Sequence, residues 1–404
     1  MTMKTLFLTL MLLACASSIA GKTTLTWWQF WTDPSIKPVI AEMVAEFERN
    51  NPDIKIELTD LTWSNGHEKI VIAFGSQTGP DIVELGSDWI AEFAANNLLL
   101  DMGRHIEADS ADFDGWAMAT YNEKVFAHPW ILGTRVLFAN RRLLERADYD
   151  STFVPLTFDQ LKEAARKINE LGEKKYGWGS NAPEKHRLYK KYMPFFWSFG
   201  AQVYSDDGKY CLLASDSAVL ALTEYKELHD KYGYVANQRG IEDAFLDGNI
   251  GFILSGDWLL KRIELENRDI SFLTTLMPGR QRPGRSFLGG EFLAVNGACE
   301  HPEAAMRFVQ FITSPENQIR FCRANRSANP SSVKAQQDEY FQSNIHLRTF
   351  IQQMIFAKHP PVDPDWVYME AAIEEAVESA VFGSGLPAQS LLEARKKIEN
   401  VKSR

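Results

Sequence analysis

The sequence of 404 residues predicts an α/β fold with two lobes, each a sheet flanked by helices. Strand and helix patterns alternate along the chain, which is typical of a parallel sheet covered by helices on both faces. Hydrophobic residues make up 45% of the chain, enough at this length to fill more than one core. No low-complexity linker separates the halves, so we expect two lobes without a flexible tether.

The first five elements follow the order β-α-β-α-β. Strands are predicted where β-branched and aromatic residues alternate with polar ones, and helices where apolar residues recur every three to four positions. Asn50-Asn51-Pro52-Asp53 ends the first helix, and Gly79-Pro80 introduces the third strand. The predicted strands are residues 25–28, 54–58 and 82–85, and the helices between and after them are residues 36–50, 68–75 and 90–98.

The later elements are predicted from the same patterns. Thr157 is placed to cap a helix, and Asp206-Asp207-Gly208 indicates a tight turn that joins two short strands between Val203 and Cys211. The remaining predictions are a strand at residues 136–138 and helices at residues 157–168, 217–232, 302–313 and 369–381.

The first 20 residues have the pattern of a removed secretory signal. Lys4 precedes an apolar stretch that is too short to span a membrane, and Ser18-Ile19-Ala20 offers a small-residue cleavage site. We therefore expect an exported, periplasmic or extracellular protein. The segment before Cys15 also resembles the box of a lipidated cysteine, so a form anchored through Cys15 stays open.

Charge and cysteine content exclude several classes of function. The formal net charge of -10 argues against a nucleic-acid partner, because phosphate binding requires concentrated Lys and Arg. Without the signal, Cys211, Cys299 and Cys322 remain, with no CxxC spacing. We expect no metal-thiolate site and no cofactor, although one pair could form a disulfide.

The junction after the third strand, Gly86-Ser87-Asp88-Trp89, is the first candidate for a binding site. Ligands of open α/β sheets bind where strands end and helices begin. Ser87, Asp88 and Trp89 would offer a hydroxyl, a carboxylate and an aromatic face. The alternative is that Asp88 caps its helix and Trp89 packs inward.

Tryptophans are the second candidate feature, because several of the 11 fall at predicted loop ends. A flat aromatic ring suits the apolar C–H faces of a sugar, while flanking polar groups pair with the sugar hydroxyls. For each ring the alternative is core packing. The tryptophans at loop ends are Trp31, Trp63, Trp89, Trp130, Trp258 and Trp366.

A series of motifs in order along the chain resembles the extracellular solute-binding proteins of ABC sugar importers, the group that includes maltose-binding protein. The resemblance extends from about Leu25 to about Leu392. The motifs are Gly79-Pro80-Asp81-Ile82, the segment from Pro129 to Phe138-Ala139-Asn140-Arg141-Arg142-Leu143, Pro155-Leu156-Thr157-Phe158, Ala244-Phe245-Leu246-Asp247-Gly248-Asn249 with Gly256-Asp257-Trp258, Gly289-Gly290, and His301-Pro302-Glu303-Ala304-Ala305 through Ser314-Pro315-Glu316-Asn317-Gln318.

The resemblance implies a type II periplasmic-binding-protein clamp with a ligand cleft between its lobes. Residues 1–20 would be the signal, residues 21–131 and 290–327 the first lobe, and residues 132–289 and 328–404 the second. A carbohydrate would bind in the cleft and pass to the permease subunits of an ABC transporter, without catalysis. We expect a monomer that closes about hinges at Pro129-Trp130 and Gly289-Gly290.

The same resemblance implies the residues that line the cleft. Three positions differ from maltose-binding protein, namely Thr32-Asp33, Trp89 and Gly133, so only the broad sugar class is implied. Phe30, Trp31, Trp63, Ser64, Asn65 and Asp88 would lie on the first lobe, with Trp258 and Trp366 on the second and Glu291 near a crossing.

Two other functions stay open. The same clamp could bind a polyamine or other small cation, with Asp33, Asp88 and Glu291 as counter-charges. An exported carbohydrate-active enzyme would need two carboxyl groups at a defined separation, for which Glu84 with Asp88 is one candidate pair. Scattered histidines argue against a metal ion as cargo.

Overall fold

The computed structural model describes residues 22–106, 110–172, 174–266, 268–280, 283–326 and 329–402. The predicted signal, residues 1–20 with Cys15, lies outside these ranges. Within them, no helix is long and apolar enough to cross a membrane. The described cysteines, Cys211, Cys299 and Cys322, form no disulfide.

The described strands assemble into two large sheets and one small hairpin. They are β1 (Thr23–Gln29), β2 (Ile54–Asp60), β3 (Ile82–Gly86), β4 (Thr120–Tyr121), β5 (Lys124–Val125), β6 (His128–Thr134), β7 (Val136–Asn140), β8 (Tyr176–Asn181), β9 (Gly233–Ala236), β10 (Ile250–Ser255), β11 (Phe272–Thr275), β12 (Ser286–Val295), β13 (Asn329–Pro330) and β14 (Ala357–Lys358).

The first sheet has the order β13-β6-β12-β3-β1-β2, with β14 pairing to β12. β1 runs parallel to β2 and β3, whereas β12 runs antiparallel to both β3 and β6. The second sheet has the order β11-β7-β10-β8-β9, with β8, β9 and β10 parallel and β7 antiparallel to β10. β4 and β5 pair only with each other.

Helices cover both large sheets. The described α-helices are Lys37–Asn50, Gly66–Gly75, Ile90–Ala95, Gly103–Ile106, Trp116–Ala119, Arg141–Arg146, Phe158–Glu170, Leu188–Ser198, Asp216–Tyr232, Gln238–Leu246, Trp258–Leu265, Pro302–Thr313, Pro315–Asn325, Val333–Gln336, Glu339–Ser343, Ile345–Met354, Trp366–Val381 and Pro387–Lys402.

Each sheet packs hydrophobic side chains on both of its faces. In β3 the successive residues Ile82 and Val83 join different clusters, because neighbouring side chains of a strand point to opposite faces. Val136 and Leu137 of β7 divide in the same way between the two faces of the second sheet. The chain therefore has two lobes, each built around its own sheet.

The chain crosses between the sheets at more than one place. Arg135 alone connects β6 of the first sheet to β7 of the second. β12 returns the chain to the first sheet, beginning at Ser286. Helix Ile345–Met354 places Leu347 in a core cluster of the first lobe and Phe350 in one of the second. The two lobes are therefore connected through several segments of the chain.

Most predicted elements agree with the structure to within a few residues, and two expectations are wrong. Pro129-Trp130 lies inside β6 and Gly289-Gly290 inside β12, so the chain crosses at Arg135 and before Ser286 rather than at these two predicted hinges. The two strands predicted around Asp206-Asp207-Gly208 are only an isolated bridge between Tyr204 and Cys211, although Gly208 does take a positive φ of 71°. The turn was identified correctly, but too few backbone hydrogen bonds follow it to extend a hairpin.

The cap of helix Phe158–Glu170 gives a direct test of local stability. Thr157 Oγ1 accepts the backbone N–H of Gln160 at 3.2 Å, and Gln160 Oε1 accepts the N–H of Thr157 at 3.3 Å. We expect Thr157→Ala to lower the free energy of unfolding by about 1 kcal/mol in urea denaturation. The control Thr223→Ala, on an exposed helical position, should change it by less than about 0.5 kcal/mol. Equal effects would contradict the capping assignment.

Candidate ligand-binding site between the two sheets

Asp88 joins the two lobes. The Tyr189 hydroxyl donates to Asp88 Oδ2 at 2.8 Å, and Lys190 Nζ lies 3.2 Å from the same oxygen. Asp88 follows β3, whereas Tyr189 and Lys190 belong to the first turn of helix Leu188–Ser198 in the second lobe. The helix after Asp88 has no side-chain cap, so the capping alternative does not describe Asp88.

The charge of Asp88 is stabilised although its side chain is only 9% exposed. Burial opposes ionisation, but the Lys190 charge and the Tyr189 hydroxyl together hold the pKa of Asp88 below its usual value. Burial, and then the negative charge of Asp88, raises the pKa of Tyr189 well above its usual value. Tyr189 therefore remains a hydrogen-bond donor at neutral pH.

Three predicted aromatic residues form a first-lobe aromatic wall, defined as Phe30, Trp63 and Trp89. Phe30 stacks on Trp63 with 4.2 Å between ring centroids, and Trp89 lies 5.4 Å from Trp63. Trp63 is 45% exposed, whereas Phe30 and Trp89 are buried behind it. Gly66 permits this packing, because a Cβ there would lie 2.2 Å from Phe30 Cε1.

Ser64 and Asn65 lie beside the aromatic wall on the loop after β2, and both are exposed. The Thr62 hydroxyl lies 3.1 Å from Ser64 Oγ and donates to Asn65 Oδ1 at 2.9 Å. The wall thus has polar groups at its exposed edge.

Trp258 lies on the second lobe, at the start of the helix that follows β10. Its indole N–H donates to Glu242 Oε1 at 2.7 Å, and the Arg135 guanidinium lies 4.6 Å from its ring centroid. The ring folds back over Gly256, where a Cβ would lie 1.9 Å from Trp258 Cζ3. Any residue larger than glycine at position 256 would displace the Trp258 ring.

Two carboxyl groups near Arg135 have perturbed ionisation. Glu291 lies on β12 opposite Gly86 of β3, and burial, followed by the charge of Asp257, raises its pKa to about 7. Burial raises the pKa of Asp257 to about 6, although the positive charge of Arg135 opposes this shift. Both groups are therefore able to exchange protons near neutral pH.

Three of the predicted tryptophans lie in or against the cores. Trp130 is fully buried, 6.0 Å from Trp27, and Trp366 is 1% exposed and packs edge-on against Tyr189 at 5.9 Å. Trp31 is half-buried, edge-on to Phe321 at 4.8 Å. We assign Trp130 to the core and correct its assignment to the cleft. Trp366 packs with Tyr189 in a core cluster of the second lobe.

Sequence reasoning missed several residues at the junction of the lobes. Tyr189, Lys190 and Lys191 occur consecutively in an unremarkable helix start, and nothing local relates them to Asp88. Arg135 had a weak signal, because it directly follows the apolar strand that leads out of the first sheet. Glu242 had none, since its role arises only through Trp258.

Two lobes joined at a charged, aromatic junction define a clamp of the periplasmic binding-protein class. Residues 33–319 match the family model described as bacterial extracellular solute-binding protein, and the chain belongs to this family. The predicted fold class and family are therefore confirmed, and the family's extracellular location agrees with the predicted export.

Relatives and solved structures extend this comparison. A putative binding protein of Brucella abortus is 23% identical over 406 residues, covering 97% of this chain and 96% of the relative. The diacetylchitobiose binding protein DasA of Streptomyces coelicolor is 24% identical, covering 77% and 74%. The sugar-binding protein MalE of Xanthomonas citri superposes with a TM-score of 0.84 at 22% identity, covering 94% and 98%.

A fully buried carboxyl group, Glu84, holds the segment that carries Phe30. Its Oε2 accepts the backbone N–H of Phe30 at 2.8 Å, and burial, followed by the charge of Glu291, raises its pKa well above the usual value. Glu84 is thus favoured in its neutral form. The neutral acid fixes the end of β1 without placing a charge behind the aromatic wall.

Glu84→Gln tests this protonation state. The pKa of Glu84 is higher in the folded than in the unfolded state. At a pH above the pKa of the unfolded state, the folded protein therefore keeps a proton that the unfolded chain loses, and the free energy of unfolding falls as the pH rises. Gln cannot ionise, so in chemical denaturation the stability of the variant relative to wild type should increase as the pH rises above the usual pKa of a glutamate carboxyl group. The control Glu57→Gln replaces an exposed carboxylate of β2. A difference for Glu84→Gln that is independent of pH would contradict the neutral form.

Proposed function

We propose that this protein binds a sugar or oligosaccharide in the gap between its lobes and delivers it to the permease of an ABC transporter. The observation that carries the proposal is the convergence of the first-lobe aromatic wall with Asp88, opposite Tyr189, Lys190 and Trp258 of the second lobe. The maltooligosaccharide and diacetylchitobiose that appear in the names of two relatives support the same class.

The chemistry of these groups suits a carbohydrate. An exposed indole such as Trp63 can cover the C–H face of a sugar ring, and carboxylate, ammonium and hydroxyl groups can pair with its hydroxyls. Ser64, Asn65 and Glu291 would add further polar contacts, and these assignments remain predictions. No bond has to be broken for this function.

Closure would couple binding to transport. Besides the contacts of Asp88, Lys261 Nζ lies 3.2 Å from Asp33 Oδ2, and Arg326 donates to Glu264 Oε1 at 2.8 Å, so these pairs also link the two lobes. A ligand that contacts both lobes binds the closed form more tightly and shifts the equilibrium towards it. The permease would then recognise the closed clamp.

The charges favour a sugar over a polyamine. Of the three carboxylates considered as counter-charges, Asp33 already pairs with Lys261 and Asp88 with Lys190. Glu291 lies near the positive charges of Lys190 and Arg135. A polycation would have to displace these internal cations, whereas sugar hydroxyls can bind beside them.

A thermal-shift screen of mono- and oligosaccharides, with spermidine and putrescine included, tests the proposal. A bound sugar should raise the unfolding midpoint in proportion to the logarithm of its concentration. Stabilisation by the polyamines alone would support the cation clamp instead. Product chromatography of the same mixtures tests the enzyme alternative, and unchanged oligosaccharides are expected.

Trp258→Ala tests the second-lobe side of the cleft. It removes the ring that supports Arg135, so we expect sugar affinity to fall by more than about tenfold by calorimetry. The control Trp116→Ala alters a half-buried ring near His128, at the end of β6 away from Arg135, and should leave affinity unchanged. Unchanged affinity in a folded Trp258→Ala variant would remove Trp258 from the site.

A further inference from the structure

Two cations lie near one aromatic ring, that of Trp258. The Arg135 guanidinium lies 4.6 Å from the Trp258 ring centroid, and Lys191 Nζ lies 5.9 Å from it. Trp258 is fixed in place by the hydrogen bond from its indole N–H to Glu242. The two like charges are therefore held together at the junction of the lobes.

Among the described residues, no carboxylate oxygen lies within 4.0 Å of a side-chain nitrogen of Arg135 or Lys191. Arg135 Nη1 donates to the Thr134 carbonyl at 3.1 Å, while its Nε is buried without a hydrogen-bond partner. Lys191 Nζ donates to the Leu254 carbonyl at 2.6 Å. Neither side chain therefore donates to a carboxylate of the described residues.

Other cations of the junction are paired, which makes these two exceptional. Lys190 pairs with Asp88 at 3.2 Å, and Arg262 pairs with Glu242 at 2.8 Å. Glu242 also accepts from Gln238 and Ser255, and its ion-pair partner is Arg262 rather than Lys191. Burying a charge without a partner is costly, and an anion bound beside Arg135 and Lys191 would supply the missing partner.

The nearest acids only partly compensate. Burial raises the pKa values of Asp257 to about 6 and of Glu291 to about 7, so near neutral pH part of their negative charge is lost. Burial, followed by the charge of Arg135, lowers the pKa of Lys191 to about 7. A bound anion would favour the charged form of Lys191 and the neutral form of Glu291. The charged groups around Lys191 are Arg135, Glu242, Glu184 and Arg187, and those around Glu291 are Asp257, Lys190, Arg135 and Glu84.

We propose that Arg135 and Lys191 form an anion subsite and that the preferred ligand is an acidic carbohydrate, bearing a carboxylate or a phosphate group. This inference rests on the proposed sugar-binding function and narrows its ligand class. Asp88 and the aromatic wall would bind the sugar ring, and the anionic group would lie between the two cations. Guanidinium and ammonium donors are the groups that proteins use for such anions.

Calorimetry with matched ligands on the wild-type protein tests the inference. The panel pairs glucose with glucuronate and glucose 6-phosphate, galactose with galacturonate and galactose 6-phosphate, and maltotriose with trigalacturonate. We expect at least one acidic member to bind about tenfold or more tightly than its neutral partner. Comparing the affinities of the uronates with those of the sugar phosphates shows which of the two anionic groups binds. Neutral sugars that bind as tightly as their acidic partners would overturn this inference alone, whereas a panel without any binding would overturn the proposed function with it.

Variants and proton linkage provide a second test. Lys191→Met should lower affinity for the acidic sugar by about tenfold or more, and Lys191→Arg should restore most of it. Lys175→Met is the matched control, because Lys175 bonds to Asn249 at the other end of the second sheet. Uronate binding should take up protons, seen as a dependence of the binding enthalpy on buffer, and affinity should rise as pH falls from about 8 to about 6. Release of protons, or an affinity that rises with pH, would contradict the subsite.

Discussion

Asp88 defines the constraint on which the junction between the lobes depends: a charge removed from water must be paired. Its carboxylate projects from the end of the first sheet, and its partners, Tyr189 and Lys190, come from the second lobe. Removing one member of a buried pair typically costs about 3–5 kcal/mol, so this contact couples the positions of the lobes. The same requirement extends to Arg135 and Lys191, which lack such a partner within the described part of the protein.

Local patterns were enough to predict most of the fold. The elements β1 to β3 and their helices are encoded by neighbours in sequence, such as the alternation in Ile54–Asp60 and the cap at Thr157. The helix Pro302–Thr313 was predicted to the residue because Pro302 starts it. The prediction of a hairpin around Gly208 was wrong because strand pairing beyond the turn depends on distant packing, which neighbours in sequence do not encode.

The site could be predicted only in part. Trp63, Trp89 and Asp88 were predicted because they follow neighbouring strands of one sheet, whose ends must lie together, whereas Phe30 was predicted only from the family resemblance. Tyr189 lies 101 residues beyond Asp88, and only the assembled lobes bring the two together. Trp130 and Trp63 have the same chemistry, and their difference in exposure, 0% against 45%, arises from strand position and not from composition.

Small-angle X-ray scattering of the protein, with and without a saturating sugar ligand, tests most directly whether the lobes close on that ligand. The account predicts that the ligand decreases the radius of gyration and that the bound form matches the closed arrangement with Asp88 against Tyr189 and Lys190. Scattering curves that superimpose with and without a ligand bound at saturation would contradict it.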